Sequence, residues 1–292
     1  MTDAVKQFIE EHINLIEENR YDELYSIANR TLRWSDIGDV TDTLLACDIH
    51  PEYTMSELPE HFLRESTIEE FVIPDNIVKI NDDAFHLCMK LKQVELPKTL
   101  KSIGESAFSQ CLSLTELLIP DSVEVIGDMA FGISANIKSL KLPEGITHIN
   151  ANTCVDCRNL SNIVIPDKVI SIGYGAFSGC INLTHVQLSR SLERIGQFAF
   201  HRCVKLTNID LPASVITIDE GAFSDCSSLA YITIPNSVQS IGKDALSDCG
   251  DNLIIEYSGT KEEWKNIYNS SAFKHTYFTV NCTDGRIVKK KR

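Results

Sequence analysis

Leu206-Thr-Asn-Ile209-Asp-Leu211-Pro212-Ala-Ser-Val215-Ile-Thr-Ile218-Asp-Glu-Gly-Ala222-Phe223-Ser-Asp-Cys226 is one unit of a repeat that decides the fold. Its neighbours fall in register at 23-residue intervals. Proline occurs at Pro74, Pro97, Pro120, Pro143, Pro166, Pro212 and Pro235, with Ser189 in the one open slot. Isoleucine occurs at Ile80, Ile103, Ile126, Ile149, Ile172, Ile195, Ile218 and Ile241. Phenylalanine occurs at Phe85, Phe108, Phe131, Phe177, Phe200 and Phe223, with Cys154 and Leu246 completing the series. Cysteine occurs at Cys88, Cys111, Cys157, Cys180, Cys203, Cys226 and Cys249, with Ser134 in the eighth place. Four ladders in phase over eight units are the mark of a solenoid.

Within a unit, Ile209-Asp210-Leu211 alternates apolar and polar, which predicts a short strand with one face buried. Pro212 ends it, having no N–H for a ladder. Val215 and Ile218 turn the chain inward again. A glycine follows the isoleucine in most units (Gly104, Gly127, Gly173, Gly196, Gly242) and suits a tight corner. Ala222-Phe223 predicts a short helical or 3₁₀ piece that closes the coil. One such unit cannot bury its own apolar face, so stability must come from stacking. The strands then form one parallel sheet at ~4.8 Å per rung, roughly 40 Å for eight rungs.

The pattern resembles the BspA-like leucine-rich repeats, whose unit reads Leu-x-x-Ile-x-Ile-Pro-x-x-Val-x-x-Ile-Gly-x-x-Ala-Phe-x-x-Cys. Leu160 to Cys180 and Leu229 to Cys249 match it almost throughout. The resemblance covers about two thirds of the chain, counted on that unit. It implies an α/β solenoid, a right-handed leucine-rich repeat coil with parallel strands. It also implies a binding surface, often on microbial cells, and carries no catalytic residues across. Ser134, Cys154, Asn150 and Ser189 depart from the unit and mark a local irregularity in the middle of the array.

Three parts follow. Residues 1–58 read as a helical N-terminal module, 59–250 as a half repeat plus eight full units, and 251–292 as a C-terminal cap with a basic tail. Val5, Phe8, Ile9, Ile13 and Ile16 predict one amphipathic helix over residues 3 to 19. A second helix is expected over Asp22 to Asn29, and a third from Ser35 or Asp36 through Leu44, Leu45 and Cys47. The module either caps the first rung, whose apolar edge needs covering, or binds a partner. After Cys249 the register is read as slipping by one residue into a last strand, Leu253 to Tyr257. Thr260-Lys-Glu-Glu263 has capping-box spacing and opens a helix carrying Trp264 over the last rung. Tyr277 to Val288 reads as a hairpin turning at Thr283-Asp284-Gly285.

The 292 residues carry a net charge of −14. Residues 1 to 60 hold 14 acidic and 4 basic side chains, while residues 251 to 292 hold 5 acidic and 8 basic. Such acidity disfavours nucleic acid. No apolar run is long enough for a membrane span. The start of the chain lacks the basic end and apolar centre of a secretory leader. The expected location is therefore a cytoplasm, bacterial or host, with a phage particle as the alternative. The cysteine ladder is expected to be buried and reduced, because parallel rungs do not aim their Cβ atoms at one another.

No Gly-x-Ser-x-Gly, phosphate loop or His-Glu-x-x-His occurs. Cys154-Val-Asp-Cys157 fills two core slots of one unit, which is not where a redox pair works. No enzyme activity, cofactor or metal is expected. The expected function is a protein-interaction scaffold, with a surface or phage-particle structural or adhesin component as the alternative. The candidate partner-binding residues flank the central apolar position of each strand. They are Gln93, Glu95, Glu116, Leu118, Lys141, Asn162, Val164, His185, Gln187, Asn208, Asp210, Tyr231 and Thr233. Rigid strands lose little entropy on binding, which suits this face to docking a protein partner.

Overall fold

The computed structural model describes residues 2–46 and 49–289. Cys47, expected at the end of the third helix, and Lys290 to Arg292 of the basic tail lie outside the described residues. The array is a solenoid of parallel strands. Ten three- to five-residue strands, from Glu70–Val72 to Phe278–Cys282, stand on one side of the coil. Nine two-residue strands, from Glu57–Leu58 to Ser240–Ile241, form a second parallel sheet that the sequence reading did not separate. Register follows the 23-residue period, with Asn162 opposite His185 and Ile195 opposite Ile218.

The expected helical piece after each isoleucine is absent among the described residues. Residues such as Asp83 and Leu87, or Ser106 and Gln110, take positive φ instead, and Gly175 and Gly179 hold the same two places in their rung. Alternating right- and left-handed residues aim every second amide along the stack. Asp83, Phe85 and Leu87 donate to the carbonyls of Glu105, Ala107 and Ser109 on the next rung, at 2.9, 2.8 and 2.9 Å. A helix would turn those amides inward and leave the rungs joined by side chains alone.

The corner glycines act by close approach rather than by unusual φ. A Cβ on Gly127 would lie 2.5 Å from the amide nitrogen of Glu105 on the preceding rung. Asn150 occupies this slot where the second sheet divides, between Val125–Ile126 and His148–Ile149. Its Nδ2 donates to Ile126 O at 2.7 Å, and so bridges the gap. Asp219 carries a Cβ in the same slot with its ladder closed, so the opening belongs to the whole rung and not to Asn150 alone.

The cysteine ladder is a ladder of hydrogen bonds. Cys111, Cys157, Cys203 and Cys226 donate their thiols to the carbonyls of Phe85, Phe131, Phe177 and Phe200 at 3.1–3.3 Å. Ser134 does the same to Phe108 O at 2.8 Å, which explains why serine fits the slot. Thr276 continues the series to Leu246 O at 2.7 Å. Cysteine suits this place as a small hydrophobe with a weak donor. Cys203→Ser is therefore expected to hold stability within about 1 kcal/mol, whereas Cys203→Ala loses a bond to a buried carbonyl and costs more. Denaturant midpoints of the two variants measure the difference.

The nine described cysteines are free, and eight of them are buried. Burial pushes the Cys226 thiol up to about 12, and Cys88 likewise to about 12. These ladder thiols are expected to ignore a disulfide-exchange reagent at neutral pH until the protein unfolds, with half-exposed Cys282 reacting earlier. Rapid reaction of the ladder in native buffer would contradict the packing.

Four N-terminal helices, α1 (Asp3–Glu11), α2 (Ile13–Glu17), α3 (Tyr21–Thr31) and α4 (Trp34–Ala46), pack on the first rung. The single helix expected over 3 to 19 breaks at His12, whose ψ is 23°. The break rotates the second half, so Leu15 is buried and Ile13 is exposed. Tyr25 of α3 meets Phe62 at 5.7 Å and starts an aromatic stack that runs through Phe71 and Phe85 to Phe131. Asp42 of α4 accepts from Ser66 Oγ at 2.7 Å.

At the other end the 23-residue register does not slip after Cys249. Ile232 lies opposite Ile255, and the offset comes only before the next strand, where Leu253 lies opposite Phe278. Helix α5 (Lys261–Ile267) opens with the expected capping box at Thr260 and Glu263. It buries Trp264 against Tyr257 and Phe273. The hairpin pairs Phe278–Cys282 with Gly285–Lys289 antiparallel, closing at Cys282 opposite Gly285.

Candidate interaction face

On the three-residue strands from Gln93–Glu95 to Asn208–Asp210 the central side chain is buried and both flanking ones point out. From Gln93 to Asp210, the flanking positions of every such strand are exposed. Tyr231 and Thr233, read as equally outward, are half-buried. Strand Leu253–Tyr257 packs alongside them, and Thr233 Oγ1 is used up, accepting from Leu211 N at 3.0 Å and donating to Asp210 Oδ1 at 3.3 Å. Burial first, then Glu256 and Asp210, hold the Tyr231 phenol above its ordinary range.

The first sheet is not one continuous ladder. It divides into pairs: 70–72 with 93–95, 116–118 with 139–141, and 162–164 with 185–187, before a closing sheet from 208 onward. Shallow clefts lie over two of the divisions. One, of about 560 Å³, is lined by Gln93, Glu95, Glu116 and Leu118. The other, of about 320 Å³, is lined by Ser139, Lys141, Asn162 and Val164. Lys141 is engaged by Asp121 at 3.2 Å, and Lys92, which lines the first cleft beside Glu95 and Glu116, is engaged by Glu69. The period-2 pattern shows which side chains face out. It carries no sign of where the ladder opens.

Two constellations that resemble chemistry do not perform it. His201 Nδ1 lies 2.8 Å from Ser224 Oγ and 3.5 Å from Asp225 Oδ2. A nucleophilic triad needs the carboxylate on one ring nitrogen and the hydroxyl on the other. Here both share Nδ1, and Ser224 Oγ donates to Gly221 O at 2.8 Å. Cys154 and Cys157 are both buried, and Cys154 is held well above the ordinary thiol range by its bond to Cys157 and by burial, so Cys154 offers no thiolate. Among the described residues, no group of His, Cys, Asp or Glu could hold a metal ion. No helix there is long and apolar enough to cross a membrane.

A half-buried ionic cluster that the sequence reading missed joins the first two rungs. Asp83 lies 2.9 Å from Arg64, 3.4 Å from His61 and 3.7 Å from His86. Its only linear trace is the three-residue step from Asp83 to His86. Burial lowers His61, with Arg64 adding to the effect and Asp83, Glu60 and Asp82 opposing it. Burial and Arg64 also lower His86, with His61 assisting and Asp83 and Glu65 opposing. The unfolded chain therefore binds more protons than the folded one just below the ordinary histidine pKa of about 6.5. Stability is expected to fall as pH drops through about 6.5 toward the lower folded values, then to level off. Melting curves of the wild type and of His61→Asn/His86→Asn measure this, and the double variant should show a shallower fall.

These features define a leucine-rich repeat solenoid whose first sheet presents a mixed face. The family model for the BspA type leucine rich repeat region matches residues 56–163 and 147–279, in six copies, and the chain belongs to that family. No curated protein matches it. Among solved structures, a leucine rich cell surface protein from Faecalibacterium prausnitzii is 28% identical, with a TM-score of 0.48. That match covers 71% of this chain and 64% of that one. A leucine rich repeat protein from T. pallidum is 28% identical over 52% of this chain and 72% of its own, with a TM-score of 0.49. A leucine-rich repeat protein from Eubacterium ventriosum shares the fold at a TM-score of 0.54 and 22% identity, covering 66% of this chain and 46% of that one. The chain thus spans less than two thirds of the first of these relatives.

Proposed function

We propose that the chain is a non-catalytic scaffold that binds a protein partner through the outer face of its first sheet, in a cytoplasm where its thiols stay reduced. The observation that carries this reading is the variety of that face. Carboxylates, amides, a histidine and apolar side chains succeed one another at fixed spacing on strands whose central residues are buried. Solvation alone asks only for polar residues there, yet Leu118 is 75% exposed and Val164 is 50% exposed. Strands already ordered by stacking lose little entropy when a partner docks.

The test is capture of partners from a lysate by the wild type beside an Asn162→Ala/His185→Ala variant. Both side chains are exposed, so the melting temperature should stay within about 2 °C, as for other surface changes. The variant should lose what the wild type captures. Equal capture by both would move binding to the helical N-terminal module or remove it altogether.

A further inference from the structure

The walls of the coil part at one place. At the entry to the second sheet an amide donates to the rung before it: Glu124 to Lys101 O at 2.9 Å, Ile170 to Thr147 O at 2.9 Å and Glu193 to Ile170 O at 2.8 Å. At the exit a second amide does the same: Gly127 to Ile103 O at 2.8 Å, Gly173 to Ile149 O at 2.7 Å and Gly196 to Ile172 O at 2.8 Å. Among the described residues, the matching amides of Thr147 and Asn150 make no such bond. Side chains stand in, with Asn150 Nδ2 donating to Ile126 O at 2.7 Å and Asp128 Oδ1 accepting from Ala151 N at 3.1 Å. One step further along the chain, the first sheet opens between 139–141 and 162–164. The chain climbs as a coil, so both gaps lie on a single cut that separates residues up to 142 from residues 147 onward. At the other two divisions of the first sheet the second sheet is closed on both sides: Lys79 with Ser102 and Ser102 with Val125 around one, Ser171 with Arg194 and Arg194 with Thr217 around the other. The aromatic stack also stops at the cut, where Cys154 stands between Phe131 and Phe177. In the linking segment Ile146 N reaches Pro143 O only at 3.5 Å, against 3.0–3.2 Å for the same bond in the other units.

We propose that the array is two cooperative blocks, residues up to 142 and residues 147 onward, hinged on the turn-side wall. That wall runs unbroken across the cut. Met129, Phe131 and Ile133 donate to the carbonyls of Ala151, Thr153 and Val155 at 2.8, 2.9 and 2.6 Å, and the Cys157 thiol donates to Phe131 O at 3.1 Å. Leu142 and Ile146 are buried and keep the core closed beneath the link. With one wall tied and two untied, the easiest motion parts the two sheet walls and bends about the third, because it breaks no bond between backbone groups. The cleft of Ser139, Lys141, Asn162 and Val164 lies in the mouth of this bend, so a partner held there touches both blocks. The hinge itself is independent of what the face binds.

Amide exchange of the full chain reads the hinge. Thr147 and Asn150 should exchange about tenfold or more faster than Lys101 and Gly104, which hold the same places on a closed ladder. Met129, Phe131 and Ile133 should stay as slow as Ser106, Phe108 and Gln110, their counterparts two rungs from the cut. Slow exchange at Thr147 and Asn150, or fast exchange along the turn wall, would overturn the proposal. The boundary is read by two truncations of fully buried rings. Phe177→Ala should accelerate exchange about tenfold or more over 216–219, across a closed ladder. Phe131→Ala should leave 170–173, the same distance further on, within about twofold of the wild type, because the cut stops the damage. Equal acceleration at the two places, or at neither, would mean a uniform stack and no hinge. Should Phe131→Ala fail to fold, exchange of the wild type in rising denaturant decides. Amides of 101–127 and of 170–219 should then open on two separate isotherms, and one shared isotherm would sink the two-block reading.

Discussion

Phe177→Ala is expected to cost about 3–5 kcal/mol of folding stability, the range for truncating a fully buried phenylalanine. The ring is completely buried and stacks on Phe200 at 5.4 Å, with the planes 11° apart. On its other side the matching slot holds Cys154 instead of a ring, so the aromatic stack that reaches Phe131 stops there and restarts at Phe177. Truncation would extend the loss over two successive rungs, leaving a void bounded by Cys154 and Phe200. The backbone at this position also links neighbours, since Phe177 N donates to Ala199 O at 2.8 Å and its carbonyl accepts from the Cys203 thiol at 3.3 Å. Slack here therefore loosens the ladder as well as the core. Equilibrium denaturation gives the number, and an unchanged midpoint would place Phe177 outside the continuous core.

Trp264→Ala is the second large loss, also about 3–5 kcal/mol by the same rule for buried aromatics. Its signature differs. Trp264 is 2% exposed and sits between Tyr257 of the last array strand and Phe273, so it closes the open end of the solenoid. In a one-dimensional stack each rung feels mainly its neighbours, so damage at the end should spread inward only a few rungs. Amide exchange should accelerate over strands 231–234 and 253–257 and stay slow over 93–95 and 116–118. Uniform acceleration would mean that the array unfolds as one block and that the cap governs all of it.

Both expectations rest on slots that could be read from the chain. The phenylalanine, isoleucine and cysteine ladders were legible because stacking imposes the same environment every 23 residues, and an apolar slot admits few residue types. The capping box at Thr260 and the hairpin turn were legible for a related reason, since each is satisfied within a few consecutive residues. The outward side chains of the first sheet followed from the period of 2. Tyr231 and Thr233 differ because their exposure depends on the strand laid beside them.

The turn side of each rung was misread as helical. Ala-Phe followed by cysteine three residues on is good helical spacing, and local propensity cannot announce that alternate amides will be claimed by the next rung. The break of the first helix at His12 was hidden by an apolar spacing that fits an unbroken helix nearly as well. The cluster of His61, Arg64, Asp83 and His86 assembles from two rungs, so no linear motif contains it.

By itself the sequence determined that this protein is a solenoid, how long its rungs are, which side chains fill the core and, from Gln93 to Asp210, which strand positions face water. Those properties repeat, and repetition converts local chemistry into register. Only the tertiary structure decided that there are two sheets instead of one, that the first opens into pairs with clefts between them, and that Lys92 and Lys141 are engaged by Glu69 and Asp121. These follow from how closely one rung settles on the next. That closeness depends on contacts between residues 20 or more positions apart, such as Lys141 with Asp121, and no single unit encodes them.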